Sequence, residues 1–235
     1  MSLPYFFIEN LCGSNTTVLP EETSKHCIQV LRMKKGEKLQ LTDGKGNLAT
    51  ARITSADRKR CRVDIEEHKF EERSSKKISV ALSLLKNSGR FEWFLEKATE
   101  IGVTEIIPTI CERTERQHFR QERMNNILIT AMLQSQQTWL PLLYEPQPFE
   151  KIIVSSTYLL KLIAYCGDDN NKSDIVSVEA ETETQILIGP EGDFTSLEIE
   201  HALANNYIPV SLGRTRLRSE TAGIVAAALV MAAEI

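Results

Sequence analysis

No apolar run in this sequence approaches the roughly 18 residues that a membrane-spanning helix requires, so no membrane partner is expected. Met1 to Glu9 lacks the basic-then-apolar build of a secretory signal, and the cytoplasm is the expected compartment. The five cysteines, Cys12, Cys27, Cys61, Cys111 and Cys166, are odd in number and widely scattered. None has the close Cys-x-x-Cys or Cys/His spacing of a zinc site, so they read as free thiols and no metal is expected. A P-loop, a hydrolase elbow and a zinc-protease helix are all missing. His26, His68, His118 and His201 form no recognisable triad with a serine. Internal repeats and low-complexity tracts are absent too.

Strong positive charge is also missing. The net charge is −4, whereas the usual footprint of a nucleic-acid-binding domain is strongly basic. The charge is uneven, however. Up to Arg73 there are 13 basic and 11 acidic side chains, and the remainder has 15 and 21. Any RNA partner must therefore be read from local patches and motifs. What is present suits a soluble globular chain: 235 residues, 42% apolar and 26% charged, enough for one large or two small domains.

The first seventy residues read as short strands. Lys38 to Thr42 alternates, Asp43 to Asn47 is rich in turn formers, and Leu48 to Ile53 alternates again, which predicts a hairpin. Arg62 to Glu66 adds another strand. Thr23 to Met33 carries apolar positions at near-helical spacing, with Thr23 or Ser24 available as a cap. A small β-barrel with one short helix follows. Glu66 to Lys77 is charged and unpatterned, and the domain boundary is placed there, giving domains 1–72 and 73–235.

Beyond it, strands and helices alternate. Strands are expected at Ile78 to Leu85, Glu105 to Ile110, Tyr158 to Tyr165, Gln185 to Ile188 and Tyr207 to Leu212. Helices are expected at Arg90 to Ile101, Gln121 to Gln136, Ser196 to Asn205 and Ser219 to Ala233. Continuous apolar strands between helices predict an α/β fold with a parallel sheet covered on both faces.

Gly44-Lys45-Gly46-Asn47-Leu48-Ala49 matches G-x-G-x-x-A, but a strand follows where a dinucleotide site needs a helix, so it reads as the hairpin. Ile186 to Gly192 is a strand running into a loop with two glycines and Pro190, at the strand end where α/β proteins bind ligands. A tight strand–helix connection would look the same. Val210 to Ala222 repeats the arrangement, with Arg214, Arg216 and Arg218 suited to phosphate, Ser219 as a candidate cap and Glu220 in the first turn. Ala222, Gly223, Ala226, Ala227 and Ala228 permit close packing, against the core, a cofactor or a second subunit. Arg113, Arg116, His118, Arg120 and Arg123 form the densest basic stretch, either a solvated helix start or an RNA contact. His26 and Arg32 flank the first helix and read similarly.

Taken together these segments resemble the RsmE family of 16S rRNA uracil-N3 methyltransferases, within the SPOUT superfamily of knotted methyltransferases. His26 with Val30-Leu31-Arg32 and Gly36 resembles the first signature. Lys86, Arg90, Glu92, Lys97 to Val103 and Pro108 resemble the second, and Gln134-Ser135 the third. Ile188 to Gly192 and Leu212 through Ala222 resemble the last two, and all five occur in order. Two positions depart: Asp193 stands where the family usually has glycine, which would alter the loop slightly, and Gln137 where arginine is frequent.

The resemblance implies a PUA-like RNA-binding barrel, a C-terminal trefoil knot, a homodimer and S-adenosylmethionine as methyl donor to 16S rRNA of the small ribosomal subunit. It implies cofactor contacts from Leu187, Ile188, Gly189, Pro190, Glu191, Gly192, Leu212, Gly213, Leu217, Arg218 and Ala222. Arg218 and Arg90 are the candidates for phosphate or base contact, and Glu191 and Glu220 for proton acceptor. His26, Arg32, Arg113 and Arg116 are the candidates for RNA binding. The rival readings are a knotted methyltransferase for ribose 2′-OH or a tRNA base, and a non-catalytic RNA-binding assembly factor.

Overall fold

The computed structural model describes residues 3–11, 15–115, 118–167 and 172–233, so Cys12 and Arg116 lie outside it. The chain forms two units, Met1–Arg73 with Ile129–Leu140, and Ser74–Leu128 with Pro141–Ile235.

The first unit is a curled sheet. Its elements are β1 (Tyr5–Phe7), β2 (Thr16–Val18), α1 (Glu21–Lys25), β3 (Lys38–Thr42), β4 (Asn47–Ser55) and β5 (Arg62–Phe70), with strand order β1-β3-β4-β5-β2. Alternation buries Leu39, Leu41, Ala49, Ala51, Ile53 and Val63 on one face with Phe6 and Cys27. Each leucine, isoleucine, valine or phenylalanine side chain buried there contributes about 1.5–3 kcal/mol. Register shifts between β4 and β5, at Thr50/Ala51 and Ile53/Ser55, are bulges that raise local twist and curl the sheet. The β3–β4 turn is a hairpin, as its sequence predicts. Asp43 Oδ1 accepts the Lys45 N–H at 2.8 Å, and Asp43 Oδ2 accepts from Asn47 Nδ2 at 2.7 Å.

Two expectations for this unit need correction. The helix begins at Glu21 behind Pro20, not at a Thr23 or Ser24 cap, and passes into a π turn at His26–Val30. Pro20 pre-sets the chain for helix entry. Ser24 is unavailable as a cap because it is buried, donating to the Leu19 carbonyl and accepting the Cys61 N–H, each at 3.0 Å. In addition, β5 runs to Phe70, so the first five residues of the stretch read as linker, Glu66 to Phe70, are strand. Its side chains from Glu66 onward are exposed on both faces, which removes the alternation that would have marked a strand.

The second unit is a parallel sheet. Its elements are β6 (Lys77–Ser83), α2 (Ser88–Glu100), β7 (Glu105–Ile110), the first part of α3 (Gln121–Gln134), which passes into the first unit at Ile129, β8 (Leu142–Leu143), β9 (Gln147–Pro148), α4 (Phe149–Ser155), β10 (Leu160–Ala164), β11 (Ser173–Asp174), β12 (Glu183–Ile188), α5 (Ser196–Ala204), β13 (Ile208–Ser211) and α6 (Ser219–Ala232). The strand order is β11-β13-β10-β12-β6-β7-β8, with β9 also on β7, and every pairing is parallel. The central strands β6 and β12 are buried almost end to end, as a sheet covered on both faces requires.

At the amino ends of β6 and β7, Glu105 Oε2 accepts from Tyr158 at 2.6 Å and Tyr144 at 3.2 Å, and Glu105 Oε1 lies 3.1 Å from Lys77 Nζ. Burial and the Glu105 carboxylate push the Tyr158 phenol far above its ordinary value. This network locks the amino-terminal end of the sheet. At the other end, Gly223 of α6 faces Phe94 of α2, where an added Cβ would fall 2.8 Å from the ring. Core packing therefore explains Gly223, because the Phe94 ring fills the space a side chain would take.

Candidate functional site

The carboxyl ends of β10, β12 and β13 open onto a cavity of about 1000 Å³. Its walls are Ala164–Gly167 with Lys172, Ile188–Glu191 with Asp193, and the run from Val210 to Ser219, closed by Arg90 and Ala222. Three successive strand ends meet here because β12 lies beside β10, and β13 lies on the far side of β10. Parallel sheets bind ligands at such an edge.

The loop after β12 is clamped from several sides. Glu191 Oε1 accepts the Lys86 N–H at 3.1 Å, from the segment after β6. Arg113, from the segment after β7, donates to the carbonyls of Gly192 at 2.8 Å and Phe194 at 3.3 Å. Asp193 Oδ2 accepts the Cys166 N–H at 2.8 Å, from the segment after β10, while Oδ1 accepts the Phe194 N–H at 2.9 Å. The loop thus ties four strand ends together. Thr195 and Glu198 then form a reciprocal capping box that starts α5.

Asp193 sits at φ 64°, in the left-handed region. Glycine adopts that region freely, and aspartate is among the few other residues that tolerate it. The aspartate therefore keeps the glycine-like backbone and adds a clip across to Cys166. Asp193→Ala is expected to cost about 1–3 kcal/mol, from lost hydrogen bonds and from strain at positive φ. Each kcal/mol lowers the melting temperature by about 2–4 °C in a chain of this size. Asp193→Gly should relieve the strain but still speed amide exchange at Cys166 roughly tenfold. Unchanged exchange at Cys166 in Asp193→Gly would show that the clip does not hold.

The second loop, 212–218, is open. Gly213 is at φ 123°, and a Cβ added there meets nothing within 4 Å. Ser211 Oγ accepts the Gly213 N–H at 3.3 Å. Arg214 to Arg216 are exposed. Arg218, not Ser219, is the N-cap residue of α6, without a side-chain cap bond; Ser219 is already helical, so its capping role is corrected. The Arg218 carbonyl accepts the Ala222 N–H at 2.7 Å, and Arg218 lines the cavity.

Of the residues expected to touch the cofactor or substrate, Arg90, Ile188, Gly189, Pro190, Glu191, Leu212, Gly213, Leu217, Arg218 and Ala222 all line the cavity. Leu187 and Gly192 do not. Leu187 is 1% exposed in the core, because successive strand residues point to opposite faces. Gly192 is instead the carbonyl that Arg113 grips. Glu220 is buried behind the lining, its Oε1 3.6 Å from Arg90 Nε and its Oε2 without a hydrogen-bond partner. Tyr165, Cys166 and Lys172 join the wall without having been singled out in the sequence; only their place after a buried strand could have signalled them.

The basic stretch divides. Arg113 holds the loop, and Arg123 makes a two-pronged ion pair with Glu92 at 2.7 and 2.9 Å, which lowers the Glu92 carboxyl below its usual range. His118 accepts from Arg120 at 3.2 Å. In the first unit His26 is exposed, its ring edge-on to Phe6 at 5.8 Å, and Arg32 is exposed at φ 56°. Among the described residues no group of His, Cys, Asp and Glu is arranged to hold a metal ion, and no helix is long and apolar enough to cross a membrane.

Comparison with known proteins agrees with this geometry. Residues 71–231 match the model of an RNA methyltransferase domain, and residues 19–66 that of an RNA methyltransferase PUA domain. Ribosomal RNA small subunit methyltransferase E of Rickettsia conorii is 30% identical over 95% of this chain and 93% of its own length. A probable rRNA methyltransferase from Porphyromonas gingivalis is 38% identical, with a TM-score of 0.89 over 96% of this chain and 95% of that one. The ribosomal RNA small subunit methyltransferase E of Neisseria gonorrhoeae, solved bound to S-adenosylmethionine, is 29% identical with a TM-score of 0.87, over 97% of this chain and 96% of its own. The chain belongs to the ribosomal RNA small subunit methyltransferase E family of RNA methyltransferases.

Proposed function

We propose that the protein methylates N3 of a uridine in 16S rRNA of the small ribosomal subunit, with S-adenosylmethionine as donor. The observation that carries this is the cavity, lined by the 188–191 and 212–218 loops, with the cationic residues Arg218, at the start of α6, and Arg90, on α2, at one strand-end edge. A volume near 1000 Å³ holds a nucleoside-sized ligand and leaves room for a base beside it. Backbone groups of Ile188–Glu191 and Leu212–Arg218, with Ala222, would hold the cofactor. Leu187 and Gly192 support these loops from behind. Bound there, S-adenosylmethionine supplies a methyl group on a sulfonium centre.

The remaining chemistry belongs to the chain. N3 of uracil must lose its proton before it can attack, and the resulting anion needs positive charge nearby. Arg218 and Arg90 provide that charge. Glu191 lines the cavity with one carboxylate oxygen on the Lys86 N–H, and we assign it as the acceptor of the N3 proton. Glu220, buried behind Arg90, orients that guanidinium. The target base must leave its stack or lie in a loop to reach this depth. RNA affinity is the task of the first domain, residues 1–72, through His26 and Arg32, while 73–235 carries the chemistry.

We read the chain as a homodimer with a knotted carboxyl end. From Thr221 to Ala232, α6 carries no charge although half of it is only partly buried, which suits a second copy better than water. After β13 the chain returns from outside β10 to pack α6 on β6 and β12, as a threaded segment would. Purified protein, small ribosomal subunits and S-adenosylmethionine should yield 3-methyluridine on nucleoside mass spectrometry. A 2′-O-methyl product, or no product from folded, cofactor-bound protein, would overturn this reading.

A further inference from the structure

We propose that one end of the first-unit sheet, formed by residues 31–37 and 56–61, grips RNA phosphates. The proposal rests on the RNA-methylating reading above. Arg58, Lys59 and Arg60 are consecutive and exposed in the loop between β4 and β5. That loop is pinned. Asp57 Oδ1 accepts the N–H groups of Lys59 at 2.8 Å and Arg60 at 2.9 Å. Cys61, which closes the loop, donates its N–H to buried Ser24 and accepts from Leu19 N–H at 2.9 Å. Three cations are therefore presented on a short fixed backbone rather than on a free tail, which lowers the ordering cost of binding.

Strand register brings further cations to the same end. The Gly36 N–H donates to the Ile53 carbonyl at 2.8 Å, and the Ile53 N–H to the Glu37 carbonyl at 2.9 Å. Arg32, Lys34 and Lys35 thus sit beside the end of β4, from which the Arg58–Arg60 loop springs. Among the described residues none of these six side chains takes part in an ion pair. The nearby carboxylates have other bonding partners, although their charge still reaches the patch: Glu21 pairs with Lys25, Glu37 accepts the Lys34 N–H, and Asp57 accepts N–H groups of its own loop. At the opposite end of the sheet, around the β3–β4 turn, Asp43, Glu67, Glu71 and Glu72 outnumber Lys45, Lys69 and Arg73. The chain's overall negative charge conceals this polarity.

The phosphodiester backbone is the partner this chemistry fits: repeated negative charges met by arginine and lysine on a fixed loop. Such interactions position the RNA and carry no base information. The test is the full-length variant R58Q/K59Q/R60Q, assayed for methylation of small ribosomal subunits over a salt series, beside K45Q/K69Q from the opposite end. The triple variant should raise KM for RNA at least tenfold. It should also flatten the dependence of log affinity on log salt by about 2 to 3, at roughly 0.7–0.9 for each phosphate that is no longer neutralised. Turnover at saturating RNA and cofactor affinity should stay unchanged. Unchanged KM and salt slope in a variant whose parent methylates normally would overturn the docking site alone; a parent that binds no ribosomal RNA would overturn both readings. An equal loss in K45Q/K69Q, or tighter binding of the parent to phosphatidylglycerol vesicles than to RNA at equal salt, would also overturn it.

Discussion

Arg218→Ala should slow methyl transfer by about 10²–10³ while leaving cofactor affinity and melting temperature almost unchanged. An arginine beside a glycine-rich loop can brace that loop or act on the ligand, and the two roles predict different losses. A brace would show side-chain bonds to loop carbonyls, as Arg113 does at Gly192. Among the described residues Arg218 shows none; its part in α6 is made through its backbone carbonyl, which alanine keeps. Removing the guanidinium therefore removes charge from the cavity and little else. Arg218→Lys should recover little, because an ammonium cannot reproduce the planar fork. Single-turnover rates on small ribosomal subunits, read beside a melting curve, decide the matter. Unchanged turnover in a folded Arg218→Ala protein would remove Arg218 from the chemistry, and joint loss of stability and cofactor binding would make it a brace.

Gly213→Val should abolish measurable S-adenosylmethionine binding, a weakening of at least 100-fold. Two effects act together. At φ 123° a valine is strained by about 1–3 kcal/mol, which displaces the 212–218 loop. The new side chain also has no protein atom within 4 Å of its Cβ, so the fold can accept it, and it occupies the space that the exposed Gly213 backbone gives to the cavity. Calorimetry on the folded variant is the measurement. Binding within threefold of the parent would show that the cofactor does not approach Gly213.

Much of this site was legible in the sequence because strand-end glycine loops have a pattern that packing does not override. Ile188–Glu191 and Leu212–Arg218 fell where expected, and so did the Gly102 stop after α2, which adopts φ 89° as a helix-ending glycine does. The misses have physical causes. β8, β9 and β11 are two residues long, too short to show any period. α4 is only seven residues and begins directly after the proline of β9. Glu220 was a candidate proton acceptor because it stands in the first turn of the helix that follows the second loop. One hundred degrees of rotation per residue turns it instead towards Arg90 and the interior. Arg113 looked like a surface cation, and only three-dimensional proximity to Gly192 reveals it as a clamp.

The strand order carries a consequence for synthesis. β6 and β12 meet at the sheet centre, yet they stand about a hundred residues apart in the chain, and the cavity needs Arg90 together with Val210 to Ala222. A growing chain emerges from its amino end at about 5–20 residues per second. The first-unit strands can pair within seconds, since β3, β4 and β5 are joined by short turns and close locally. The cofactor pocket stays unwalled on one side until β13 and α6 have emerged and docked. A nascent chain would thus hold RNA-gripping cations before it owns a methyl-donor pocket. Chemistry is withheld until the sheet is complete.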